Sequence, residues 1–213
     1  MVDLTPQTLR QALRLYLVTD AQALRGRSLT DVVLQAVQGG VTCVQLREKS
    51  ASTRDFVALA CALKDLLTPL GVPLVINDRI DVALACGAQG VHLGQSDMPI
   101  AQARRCLPPQ VFIGLSVEAP ADVTRAAGQG VDYLGVSPIY PTPTKLDTAA
   151  PWGLEGLRQV RHMTDLPLVA IGGLHLGNAA EVLAAGADGL AVVSALCSAD
   201  DPAAAARSFR QFF

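Results

Sequence analysis

The chain has 213 residues, enough for one substantial hydrophobic core and short for two ordinary domains. Half of its residues are hydrophobic and 17% are charged, which excludes a disordered chain or a coiled coil. Lysine and arginine total 17 against 19 aspartates and glutamates; a formal charge of −2 exerts no general pull on nucleic acid or anionic membranes, so any anion site must be local.

The first residues include Asp3, Arg10 and Arg14 and no continuous apolar stretch, so no signal peptide is expected. Mean hydropathy is +0.34. The apolar residues nevertheless come in short blocks, none near the roughly 18 consecutive residues of a spanning helix. The five cysteines (Cys43, Cys61, Cys86, Cys106 and Cys197) form no CxxC pair and no metal-type spacing, and read as reduced core residues of a cytoplasmic protein.

Apolar blocks at 16–19, 41–46, 73–76, 90–93, 111–115, 133–136, 168–171 and 189–193 predict eight strands. Several are nearly unbroken in Val, Ile and Leu, as in PLVI, PLVAI and GLAVV, the pattern of parallel strands covered on both faces. Helical periodicity fills the spaces between. Segment 28–39 (SLTDVVLQAVQG) places Leu29, Val32, Val33 and Ala36 on one face and ends in glycine. Segments 56–67, 120–127, 154–161, 179–185 and 203–212 repeat the pattern, with Asn178 expected to cap one and Asp200 or Asp201 the last. Strands alternating with helices predict a closed (β/α)8 TIM barrel formed as a single domain over 1–213. The competing fold is an open doubly wound sheet, and the turn Thr19-Asp20-Ala21-Gln22 after the first strand lacks its GxGxxG.

In such a barrel the polar residues at the C-terminal strand ends face the site. Strand two closes as Gln45-Leu46-Arg47-Glu48-Lys49, and strand alternation sends Gln45, Arg47 and Lys49 to one side, a set suited to a diphosphate or to a frayed, solvated end. Strands three and four end near Asn77, Asp78 and Asp97; the two carboxylates suit surface acids, helix caps, or Mg2+ shared with substrate phosphate. His92, inside strand four, reads as a hydrogen-bonded interior residue. Ser116 ends strand five with a hydroxyl able to orient a heteroaromatic ring. After strand six, three prolines stiffen a loop carrying Thr142, Thr144 and Lys145. Gly172-Gly173 and Val193-Ser194 end strands seven and eight, where barrels commonly take a phosphate on backbone N–H groups.

The segments YLVTD, VQLREK, INDRIDVAL, GVHLGQSDMP, GVSPIYPTPTK, GLEGLR, VAIGGL and VVSAL, spread over nearly the whole chain, resemble the thiamine phosphate synthase family. The resemblance implies coupling of hydroxymethylpyrimidine diphosphate to thiazole phosphate with loss of diphosphate. It implies that Gln45, Arg47, Lys49, Asn77, Ser116 and Lys145 contact the pyrimidine diphosphate, with Lys145, Arg47 and Ser116 as catalytic groups. Asp78 and Asp97 would hold Mg2+, and Thr142, Thr144, Gly173, Val193 and Ser194 would receive the thiazole phosphate. The expected partners are these small molecules, with neither nucleic acid nor membrane, and a homo-oligomer is compatible with the chain. One departure is Glu118, where relatives often carry a histidine that belongs with a thiazole tautomerase of the same fold. A tautomerase-like enzyme and a non-catalytic phosphate-binding barrel are the alternatives.

Overall fold

The computed structural model describes residues 5–142 and 150–213. Eight parallel strands close into a barrel in sequence order: β1 (Leu15–Val18), β2 (Cys43–Leu46), β3 (Leu74–Asn77), β4 (Gly90–Leu93), β5 (Phe112–Val117), β6 (Tyr133–Val136), β7 (Leu168–Ile171) and β8 (Gly189–Val192). β8 pairs back onto β1 through Tyr16 and Ala191. The open doubly wound alternative is thereby excluded.

Helix α1 (Pro6–Ala12) precedes the barrel, and α2 (Leu29–Gln38), α3 (Thr53–Leu67), α4 (Ile80–Cys86), α5 (Ile100–Cys106), α6 (Pro120–Ala126), α7 (Gly153–Met163), α8 (Ala179–Ala184), α9 (Ser194–Cys197) and α10 (Pro202–Arg210) follow the strands. Short polar side chains set several helix starts by accepting an otherwise orphaned backbone N–H: Ser28 from Asp31, Ser52 from Asp55, Asp201 from Ala204. The Ser52 cap explains why α3 begins three residues before the periodic segment at 56; its first turn, Thr53-Arg54-Asp55, is polar and leaves no apolar trace. Asn178 does not cap α8 through its side chain. Its Oδ1 instead accepts from His175 N at 2.9 Å and its Nδ2 donates to Gly173 O at 3.0 Å, so it staples the loop after β7.

Strand alternation produces two concentric cores. Outward-facing residues such as Leu17, Val44, Ile76 and Leu190 pack under the helices. Inward-facing Tyr16, Val18, Cys43, Val75, Phe112, Tyr133, Val169 and Ala191 fill the lumen, which Leu9 and Leu13 close from below. Strand glycines make room for the large rings: a Cβ on Gly114 would lie 2.1 Å from the Tyr133 ring, and one on Gly90 2.4 Å from Phe112.

Candidate active site

One cavity of about 1080 Å³ occupies the C-terminal mouth, and it gathers residues from every strand end. Among them are Gln45, Arg47, Lys49, Asn77, Asp78, Asp97, Ser116, Thr142, Gly173, Val193 and Ser194. The remaining expected residues, Thr144 and Lys145, lie outside the described residues. A larger hollow of about 1370 Å³ opens on the opposite face, but its Arg10 and Asp132 are committed to ion pairs with Asp188 and Arg104.

The β2–β4 side of the mouth is built from charged side chains. Lys49 Nζ lies 2.5 Å from Asp78 Oδ2, and Arg47 Nη1 lies 3.5 Å from Asp20 Oδ2. Thr19, buried at the end of β1, accepts the Arg47 N–H at 3.0 Å and fixes where that arginine leaves the barrel. Glu48 turns away and accepts from Ser50 N at 2.6 Å and Ala51 N at 3.1 Å, closing the turn just beyond Lys49. These N–H bonds hold the Glu48 carboxyl below its ordinary value.

Neither aspartate caps a helix. Asp78 precedes α4, whose N-cap is Arg79, and adopts a left-handed backbone with φ 62° that aspartate tolerates better than most residues. Its N–H donates to His92 O at 2.9 Å, holding the turn against β4. Asp97 lies before α5, whose N-cap is Pro99, and its Oδ2 accepts from Gly94 N at 2.6 Å. Burial pushes the Asp97 carboxyl up, and the Asp78 carboxylate beside it adds to the rise.

A cation beside Asp97 would relieve that cost. Among the described residues no group of three or more His, Cys, Asp or Glu side chains converges on a metal position. What the two carboxylates offer is oxygen donors, the kind a hard ion such as Mg2+ takes together with phosphate oxygens and water.

The centre of the mouth opens onto polar groups in the lumen. His92 reaches Ser116 Oγ through Nε2 and Tyr133 Oη through Nδ1, both at 2.8 Å. Gly135 makes room for the imidazole, since a Cβ there would lie 2.9 Å from His92 Cε1. Gln95 Nε2 donates to Ser116 O at 2.6 Å and pins the end of β5 to the β4 loop.

The β7–β8 side is shaped by glycine backbone, with the side chains of Tyr140, His175, Asn178 and Glu181 around it. Gly172 and Gly173 have φ of 101° and 67°, conformations that side chains disfavour. A Cβ on Gly172 would lie 2.7 Å from Pro138 Cβ, and one on Gly173 2.7 Å from Tyr140 Cβ. Tyr140 N donates to Gly172 O at 3.1 Å, so the loop after β6 rests directly on the glycine pair. Beyond it Tyr140 Oη donates to Glu181 Oε1 at 2.6 Å. Val193 and Ser194 line the same side at the start of α9, a single turn that follows β8.

Sequence reading missed Asp20, Thr19, Gln95, Tyr16 and Tyr133. The first three look like ordinary loop residues, and the tyrosines lie inside blocks that read as apolar strand; only the alternation of Tyr16 with Val18 hints that the ring points inward.

A cluster of cations and carboxylates facing a glycine-built rim across one mouth marks a (β/α)8 barrel made to handle phosphorylated ligands. Within that class the chain belongs to the thiamine monophosphate synthase family, whose model matches residues 15–196. It is 75% identical over 201 residues to a thiamine-phosphate synthase of Albidiferax ferrireducens, covering 94% of this chain and 92% of that protein. A thiamine-phosphate synthase of Chloroflexus aurantiacus is 54% identical over 197 residues, covering 92% and 91%. The solved thiamine phosphate pyrophosphorylase of Pyrococcus furiosus superposes with a TM-score of 0.88 at 38% identity, covering 96% of each chain.

Proposed function

We propose that this enzyme is a transferase that joins hydroxymethylpyrimidine diphosphate to thiazole phosphate, releasing diphosphate and forming thiamine phosphate. The observation that carries the reading is that one cavity has two unlike sides, one lined by cations and carboxylates at β2–β4 and one shaped by glycine backbone at β7–β8. Two phosphorylated reactants need such a mouth. A tautomerase acting on the thiazole phosphate alone leaves Arg47, Lys49, Asp78 and Asp97 without a diphosphate to hold.

The CH2 carbon beside an electron-rich aminopyrimidine loses diphosphate to leave a stabilised cation, and the thiazole nitrogen supplies the electron pair of the new C–N bond. No nucleophilic side chain is required. The protein's tasks are to neutralise the leaving group and align the two rings. Arg47 and Lys49 meet the diphosphate from β2, and Lys145 meets it from the proline-rich loop. Gln45, Asn77 and Ser116 orient the pyrimidine; Thr142, Thr144, Gly173, Val193 and Ser194 receive the thiazole phosphate. Asp78 and Asp97 would hold Mg2+, which when bound supplies charge neutralisation to the departing phosphate oxygens. Lys49 already lies on Asp78, so its ammonium is delivered to the place where that ion and the diphosphate would meet.

The whole chain acts as one catalytic domain on small molecules, with no call on nucleic acid or membrane. Among the described residues no helix is long and apolar enough to cross a membrane. The five cysteines are free, which suits the reducing cytoplasm we assign. The test is diphosphate release from the protein mixed with both substrates and Mg2+, repeated with each component omitted. Release only from the full mixture is the expected result; turnover of thiazole phosphate alone would favour the tautomerase.

A further inference from the structure

The barrel lumen contains an unbroken series of hydrogen bonds that joins two residues of the mouth through three lying beneath or between them. Gln45 Nε2 donates to Tyr16 Oη at 3.0 Å, and the Tyr16 and Tyr133 hydroxyls are 3.0 Å apart. Tyr133 Oη is 2.8 Å from His92 Nδ1, and His92 Nε2 is 2.8 Å from Ser116 Oγ. Tyr16 is 1% exposed and Tyr133 fully buried, in a lumen otherwise packed with Val75, Phe112 and Val169. Burial raises both phenols well above their ordinary values, so each is neutral and carries one proton.

One direction satisfies every link of the series. With Gln45 donating to Tyr16, Tyr16 donates to Tyr133, Tyr133 donates to Nδ1 of a neutral His92, and the imidazole proton on Nε2 points toward Ser116. Ser116 accepts that bond and keeps its hydroxyl proton for whatever occupies the mouth.

We propose that the relay Gln45–Tyr16–Tyr133–His92–Ser116 presets Ser116 as a hydrogen-bond donor to a pyrimidine ring nitrogen, with Tyr16, Tyr133 and His92 as positioning residues. The inference rests on the reaction proposed above. Its chemical logic is that a ring nitrogen offers a lone pair, so a hydroxyl whose proton is already committed to the lumen could not meet it. With His92 as the neutral imidazole, the relay achieves this without placing a charge under a ring that must itself become cationic. Because a donor to the ring nitrogen withdraws electrons from that cation, its benefit falls on ground-state binding rather than on the ionisation step.

The test is a cycle on the full-length enzyme with Tyr133→Phe, Ser116→Ala and the double variant, each checked for its melting temperature. Tyr133→Phe is expected to raise KM for the pyrimidine diphosphate about tenfold. KM for thiazole phosphate and the Mg2+ requirement should not change. In the double variant the Tyr133 substitution should add nothing to the loss from Ser116→Ala, because it acts through that hydroxyl. Tyr133→Phe with wild-type KM, or losses that multiply in the double variant, would overturn the relay. Should Tyr133→Phe fail to fold, Tyr16→Phe interrupts the same series one step further away and is read identically. Wild-type diphosphate release is measured in parallel; its absence would overturn the reaction itself, whereas a wild-type enzyme that turns over beside unaffected tyrosine variants overturns only the relay.

Discussion

The two sides of the mouth, to which the proposed reaction gives the same task of holding a phosphate, are built from different materials. On the β2–β4 side the groups are side chains, and they already satisfy one another: Lys49 with Asp78, Arg47 with Asp20. The β7–β8 side is shaped by glycine backbone, and those glycines are also the surface on which Pro138 and Tyr140 rest. Function and stability should therefore separate on the first side and fall together on the second.

The largest expected effect falls on the leaving diphosphate. Lys145→Ala should lower kcat by about 10²–10³, the usual cost of losing a charge partner in the transition state. Near-normal turnover at saturating substrates would remove Lys145 from the mechanism. Next, Asp97→Asn should raise the Mg2+ needed for half-maximal rate by about 10–100-fold. Its stability should move the other way. The native Asp97 carboxyl titrates above its unfolded value, so its ionised form destabilises the fold at neutral pH and that penalty fades as pH drops below both values. Melting curves of Asp97→Asn should accordingly run level with or above wild type at neutral pH, and the gap should close toward acid. An unchanged metal titration would break the contrast on the charged side.

Gly173→Ala tests the other. A methyl group there meets Tyr140 and Pro141 and forces a disfavoured backbone, so about 1–3 kcal/mol of stability should be lost. Thiazole phosphate KM should rise in the same variant while the pyrimidine diphosphate KM holds. A stable Gly173→Ala with normal kinetics would show that the two sides are less different than their construction suggests. The smallest effect is expected for Glu48→Gln, within about 0.5 kcal/mol. Its lowered carboxyl value makes a contribution present above the unfolded value and lost as pH falls through the folded one, so any melting difference from wild type should vanish in acid.

The same division explains what could be read from the sequence. Nearly unbroken apolar blocks alternating with helical segments announce the barrel, and charges at strand ends announce the charged side, because charge is a property of the residue itself. Helix α4 escaped notice because Ile80–Cys86 is apolar at every position but Asp81 and so shows no single face, and α5 because its buried face amounts to Ile100 and Ala103. Asn178 has the chemistry of a cap but spends it on His175 and Gly173, a choice only the loop path decides. Tyr16 and Tyr133 were hidden for a third reason. A tyrosine in an apolar run looks like packing, and the use of its hydroxyl depends on partners from two other strands.

The strand glycines carry a practical consequence. In a full substitution scan, Gly90 and Gly114 should score as intolerant as Lys49, although their intolerance reports the width of a neighbouring ring rather than any encounter with substrate. Pairing each with a trimmed partner, Gly114→Ala with Tyr133→Leu for instance, would recover folding without recovering normal turnover, and so distinguish the residues that make space from those that use it.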